Sequence, residues 1–224
     1  MLSDIELMEH HVNVLFKTDD KKRMTAVNEP PYDTAPYIFV GGTRLGNVVR
    51  YSNRLDEGII KKLEQVIDPD TGVGLGGVIS ILSRGQQISN FWTGPAFLFP
   101  DVSGRITNAI QITESNKGCL KLNFPHIIDE LEYRQPCFAI IEKETAVSIC
   151  CSARQTNEAA EASLATLEKF RGRAYAIDVA NAWAAEIQSQ GRIALYSTSW
   201  NNFASQSVAR KLQLTQYGTD FHMR

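Results

Sequence analysis

The chain has 224 residues, enough for one large domain or two small ones, each with a buried core. Its composition, 43% hydrophobic and 21% charged with a mean hydropathy of -0.20, is that of an ordinary soluble globular protein. A net charge of -2 provides no basic field for broad nucleic-acid binding, and no apolar run reaches the roughly 18 residues that a bilayer span requires.

The N-terminal segment MLSDIELMEHHVNVLF carries acids where a signal peptide needs positive charge, so a cytosolic protein is expected. Residues 12–17 (VNVLFK) and 36–41 (PYIFVG) predict strands, separated by the turn-rich DDKK and NEPPYDTAP. LDEGIIKKLEQVI, residues 55–67, has apolar side chains at 55, 59, 60, 63 and 67, a helical spacing that DPDTG then stops. Gly72-Val73-Gly74-Leu75-Gly76-Gly77 has the spelling G-x-G-x-x-G. A dinucleotide fingerprint must follow a strand, however, and this segment follows a helix and an acidic turn, so it is read as a flexible loop. WTGPAFLFPDVSG (92–104) closes a first unit, which divides the chain into an N-terminal α/β domain at 1–103 and a second domain at 104–224.

In the second half ITNAIQIT, from residue 106, predicts a strand, followed by mixed helix and loop through LEYRQ. CFAIIE (137–142) and AVSICCSA (146–153) predict a hairpin turned by KET. EASLATLE (161–168) predicts the next strand. Residues 172–190 predict a helix with Ala176, Val179, Ala180, Trp183 and Ile187 on one face, ended by Gly191. IALYSTS (193–199) predicts a strand, and NFASQSVARKL a helix capped by Asn201 or Asn202 with Phe203, Ala204, Val208 and Leu212 inward. LTQYGTDFHM predicts the last strand, which makes the fold class α/β of the mixed (α+β) kind.

Cys119, Cys137, Cys150 and Cys151 include no Cys-x-x-Cys pair and read as reduced thiols in or near the core, with a nucleophilic or metal-binding role as the alternative. The four histidines lack ligand spacing, and His10-His11 reads as structural or solvated. Chemistry concentrates at the strand–helix junction Glu168-Lys169-Phe170-Arg171-Gly172-Arg173-Ala174-Tyr175-Ala176. A helix start leaves unpaired N–H groups and a partial positive charge, which attract phosphate. Gly172 lets backbone approach a ligand, Ala174 and Ala176 keep side chains clear, and Arg171 and Arg173 add charge-assisted bonds. The stretch suits a pyrophosphate, with plain surface charge as the alternative.

Lys169-Phe170-Arg171-Gly172-Arg173-Ala174 resembles the Gln/Arg-x-x-Gly-x-Gly/Ala signature that opens the central helix of the GNAT superfamily of acyl-CoA N-acyltransferases. Asn202, leading a helix that ends in Lys211-Leu212 before the apolar strand, is similar to a later segment of that family. The resemblance covers about residues 104–224, and the first half looks similar to an N-terminal extension of some bacterial members. It implies a mixed, largely antiparallel sheet flanked by helices, whose central strand 161–168 splays from 193–199. In that gap backbone groups of Leu164, Ala165 and Thr166 would bond a pantetheine arm. The amides of Arg171, Gly172, Arg173, Ala174, Tyr175 and Ala176 would hold a pyrophosphate, and Asn202 would bond the arm from the far side while also capping its helix.

The implied activity is N-acetyl transfer from acetyl-CoA, without a metal, to a small-molecule or peptide amine by direct attack. A non-catalytic acyl-CoA-binding regulatory module is the alternative, and homodimer formation is left open. Glu161 is the preferred general base, with a plain surface carboxylate as its alternative role, and Glu158 is the second choice. Two positions depart from the family pattern: Lys169 replaces Gln or Arg, and Ala209 stands where many members place a tyrosine that protonates the leaving thiolate. Tyr217 and Tyr196 are candidate substitutes for that acid, with packing as their alternative role.

Overall fold

Ser3 and Glu6 start the first helix by capping each other: Ser3 Oγ accepts from the Glu6 amide at 3.4 Å, and the Glu6 carboxylate accepts from the Ser3 amide at 2.8 Å. The helix α1, Asp4–Leu15, buries Leu7, Met8, His11, Val12 and Leu15 at helical spacing. The strand expected at 12–17 therefore shrinks to β1, Phe16–Thr18, because one continuous apolar helix face outweighs the local β preference of VNVLF. The computed structural model describes residues 2–68 and 72–224, so part of the DPDTG turn lies outside the described residues.

Two compact units emerge, one formed by Met1–Ala96 with Tyr217–Arg224 and the other by Phe97–Gln216. In the first, β1 pairs antiparallel with β2 (Met24–Val27). β3 (Ile38–Thr43) and β4 (Gly46–Tyr51) form a hairpin whose second strand the sequence reading lacks. α2 (Glu57–Glu64) starts at Asp56, whose carboxylate accepts from the Ile59 amide at 2.9 Å. The two-residue strands β5 (Ile67–Asp68) and β6 (Gly72–Val73) lead into α3 (Leu75–Ser83). The glycine-rich segment read as a flexible loop is thus helical from Leu75 onward. Val78 and Leu82 share a core cluster with Ile60 and Leu63, and that burial, about 1.5–3 kcal/mol per large side chain, offsets the glycine cost.

The chain then passes through β7 (Phe91–Leu98) and β8 (Ile110–Gln111). Only these two residues of ITNAIQIT are extended, since Ile106 is 97% exposed and has nothing to pack on. A 3-10 turn (Lys117–Leu120) and α4 (Pro125–Glu130) precede the hairpin of β9 (Cys137–Glu142) and β10 (Thr145–Gln155). β11 (Ala159–Thr166), α5 (Tyr175–Ser189), β12 (Ile193–Ser197), α6 (Phe203–Lys211) and β13 (Thr215–Met223) complete the order.

In the first unit the strands lie in the order β4-β3-β13-β7, with β3 antiparallel to both neighbours among the pairs β4/β3 and β3/β13. Gly218 on β13 is a point of close approach. A Cβ there would meet the Gly42 carbonyl oxygen at 2.6 Å and Met8 Cε at 2.5 Å. Gly218→Ala is accordingly expected to destabilise the protein by about 1–3 kcal/mol in urea unfolding.

In the second unit the order is β12-β11-β10-β9-β8, antiparallel throughout except for the parallel pair β11/β12. α5 buries Val179, Ala180, Trp183, Ala184 and Ile187 in one cluster with Cys150, and the Trp183 indole donates to Ser152 Oγ at 3.2 Å. Cys151, one residue on, packs instead with Leu120, Phe124 and Ile127, so the sheet carries a second apolar layer on its other face. All four cysteines are free thiols and three are buried. No helix among the described residues is long and apolar enough to cross a membrane.

Candidate functional site

β11 is paired on both edges only at its start. Its ladder with β12 runs Ala159↔Ile193, Ala160↔Ala194 and Glu161↔Leu195 and, among the described residues, stops there. The other edge stays paired with β10 as far as Ser148↔Thr166. Beyond Glu161 the two parallel strands have parted, and Leu164, Ala165 and Thr166 border a cleft of about 530 Å³. Backbone groups freed from a ladder need other partners, and a ligand with amides of its own can supply them.

At the far end of the cleft the chain turns through two left-handed residues, Gly172 (φ 80°) and Ala174 (φ 64°, ψ 1°). A Cβ at Gly172 would meet no protein atom within 4 Å, and its positive φ is a conformation that glycine adopts without steric cost. For Ala174 the conformation costs roughly 1–2 kcal/mol. Ala174 is the N-cap of α5, and no side chain caps that helix. The N–H groups of its first turn, at the positive end of a 15-residue helix, are left for a ligand at Ala174, Tyr175 and Ala176, all of which line the cleft. Arg171 lines it too, whereas the Arg173 guanidinium lies 5.2 Å from the centroid of the Phe170 ring and is not among the lining residues.

The opposite wall is α6. Ala204, Ser207, Val208 and Lys211, at i, i+3, i+4 and i+7, present one face to the cleft. Of the expected inward set, Leu212 is buried and Ala204 and Val208 line the cleft, whereas Phe203 is 76% exposed and Ala209, which was not in that set, is buried. Asn202 caps the helix, its Oδ1 accepting from the Ser205 amide at 3.1 Å, and also lines the cleft. Lys211, Phe170, Ile177 and Ser205 are lining residues to which the sequence reading gave no ligand contact. The helical spacing of Lys211 from Ala204 was the available signal.

Of the candidate carboxylates, Glu161 is only 4% exposed and sits at the last position of β11 paired with β12. It accepts a hydrogen bond from Ser197 Oγ, and its Oε2 lies 3.5 Å from Arg154 Nη1. Glu158 is exposed, and its carbonyl accepts from the Ile193 amide at 2.9 Å. Tyr196 is buried, and burial pushes its phenol up to about 12. Tyr217 belongs to the first unit, where its ring meets His11 edge-on at 6.2 Å, and it is not among the residues lining the cleft. Tyr175 donates to the Glu142 carboxylate, a bond that raises its pKa above the ordinary tyrosine value.

No family model and no curated protein sequence matches the chain. Solved structures do. A protein from Novosphingobium aromaticivorans assigned to the GNAT family of acetyltransferases is 11% identical, with a TM-score of 0.52, over 61% of this chain and 65% of that one. The match spans just under two thirds of that protein's length. A GCN5-related N-acetyltransferase-like protein from Streptococcus suis is 14% identical over 85% of each chain, with a TM-score of 0.47. A GCN5-related N-acetyltransferase from Sphaerobacter thermophilus is 12% identical over 89% of this chain and 79% of that one, also with a TM-score of 0.47. The first likeness establishes the fold: the chain has the GNAT architecture, a mixed α/β arrangement with a mostly antiparallel sheet flanked by helices.

Proposed function

We propose that the protein is an N-acetyltransferase that uses acetyl-CoA and an amine acceptor, a small molecule or a peptide. The observation that carries this reading is the parting of β11 from β12 into a cleft that ends on the uncapped start of α5. The residues present fit a nucleotide with a long amide-bearing tail. Arg171, Lys211 and the α5 amides suit its diphosphate, and the free edge of β11 with Ile177 and Val208 suits the tail. Acetyl-CoA supplies a thioester whose carbonyl carbon can be attacked by an amine and whose thiolate can depart.

The chain's own groups supply the rest. An N–H on the free edge of β11, among Leu164, Ala165 and Thr166, polarises the carbonyl oxygen. Glu161, directly or through a water, takes the proton that an ammonium must lose before its nitrogen can attack. No phenol stands at Ala209, but a thiol with a reference pKa of about 8.5 leaves readily, so transfer does not depend on a strong acid there. Ala209 is also the one observation that favours a non-catalytic acyl-CoA-binding module as a second reading.

Thermal unfolding with and without CoA tests the site. A ligand present at 100 times its Kd and bound only by the native state stabilises it by about 2.7 kcal/mol, and a rise in Tm of about 5–11 °C is expected. Gly172→Glu places a carboxylate in the anion cradle and is expected to abolish the shift. Gly172→Asn, which tolerates the left-handed conformation, controls for backbone strain and should retain part of it. An equal shift in the wild type and in Gly172→Glu would mean that the cradle is elsewhere.

A further inference from the structure

Glu161 stands where the backbone ladder ends, and its two carboxylate oxygens are held by different strands. In the parallel register Glu161 lies opposite Leu195, so Ser197, two residues along β12, projects to the same side at the first such position past the ladder. Its hydroxyl donates to Glu161 Oε1, a side-chain bond that spans β11 and β12 where their backbone bonds cease. From the other neighbour, β10, Arg154 pairs in register with Glu161 immediately after an irregularity between Ser152 and Arg154. Such a bulge re-aims the side chain that follows it, and here Arg154 Nη1 comes to 3.5 Å from Oε2.

We propose that Arg154 and Ser197 are positioning residues, a two-sided clamp that holds the Glu161 carboxylate at the parting of the strands so that it can take up the acceptor's proton. This rests on the transferase reading above. Stability alone does not call for the arrangement. A carboxylate whose side chain is 6% exposed is costly to desolvate, and well-packed apolar residues in place of a buried ion pair are often neutral or stabilising. The ionisable groups that the structure sets against Glu161 are Arg154 from β10 and Tyr196 from β12. The phenol of Tyr196 is raised first by burial and further by the charge of Glu161.

The experiment uses the full chain labelled with 13Cδ-glutamate, with the Glu161 signal identified by its loss in Glu161→Gln. Removing the neighbouring cation in Arg154→Gln is expected to displace the Glu161 13Cδ resonance at pH 7, and Arg154→Lys to bring it back. In parallel, CoA release from acetyl-CoA is followed with spermine, tyramine and a short peptide as acceptors. Arg154→Gln should lower kcat at constant KM for acetyl-CoA, with recovery in Arg154→Lys. Ser197→Ala should lower kcat about tenfold at constant KM for acetyl-CoA, with rescue by Ser197→Thr. A Glu161 resonance unmoved in Arg154→Gln overturns the clamp, as does a kcat unchanged in Ser197→Ala. A displaced resonance without turnover of any of the acceptors supports the clamp and removes the transferase reading, so the two failures are distinguishable.

Discussion

Glu161→Gln is expected to lower turnover of acetyl-CoA with an amine about 100- to 10,000-fold while leaving the thermal shift with CoA intact. The range is that of a positioned general base, and the split follows from where the residue sits. Glu161 lies at the end of the β11/β12 ladder, whereas the residues bordering the cleft on that strand begin at Leu164. Glutamine keeps the length and shape of the side chain, and its amide oxygen can still accept from Ser197. What it loses is the negative charge beside Arg154 and the capacity to hold a proton. Stopped assays of thiol release across pH 6–9, beside CoA-induced Tm shifts on the same preparations, separate chemistry from binding. Retained turnover in Glu161→Gln would take the base role away from this residue. Loss of the thermal shift together with turnover would mean that the substitution had damaged the cleft instead.

The parts of the chain that could be read from sequence are those whose pattern is local. α5 and α6 follow from apolar spacing and an asparagine cap, and the β9/β10 hairpin follows from two apolar runs around a three-residue turn. The left-handed turn at Gly172 was legible because a glycine and small residues between cations have a backbone reason to be there. α1 was not, since its capping box lies nine residues before the valine-rich stretch whose β preference suggested a strand. The helix α3 was hidden by glycines whose cost is offset by Val78 and Leu82 meeting α2, a tertiary fact. The partners of Glu161 were out of reach for the same reason. Arg154 and Ser197 are 7 and 36 residues away in the chain, and only the register of two ladders and one bulge brings them to the carboxylate. Tyr217, a candidate acid on the strength of its residue type, is placed by β13 beside His11.

That same strand carries the largest expected stability effect. Asp220→Asn should cost about 3–5 kcal/mol at pH 7, the range for removing one partner of a buried ion pair. Asp220 is 2% exposed, with His11 Nε2 at 3.3 Å from one carboxylate oxygen and His222 Nδ1 at 3.8 Å from the other. Burial pushes the Asp220 carboxyl up, but its interactions with His11 and His222 outweigh that and hold it below the ordinary aspartate value. A folded-state value below the unfolded one of about 3.9 fixes the sign of the pH dependence. The contribution is complete above about pH 4 and is lost as the pH falls through the folded value, because the unfolded chain then binds the proton more readily. The gap between wild type and Asp220→Asn should therefore be wide at pH 7 and narrow at pH 3. Trp92, stacked on His222 at 5.1 Å between ring centroids, provides a fluorescence signal in the same unit for urea unfolding at both pH values. Equal stability of the two proteins at pH 7 would show that the buried carboxylate contributes nothing, and a gap that widens in acid would reverse the assigned direction of its pKa.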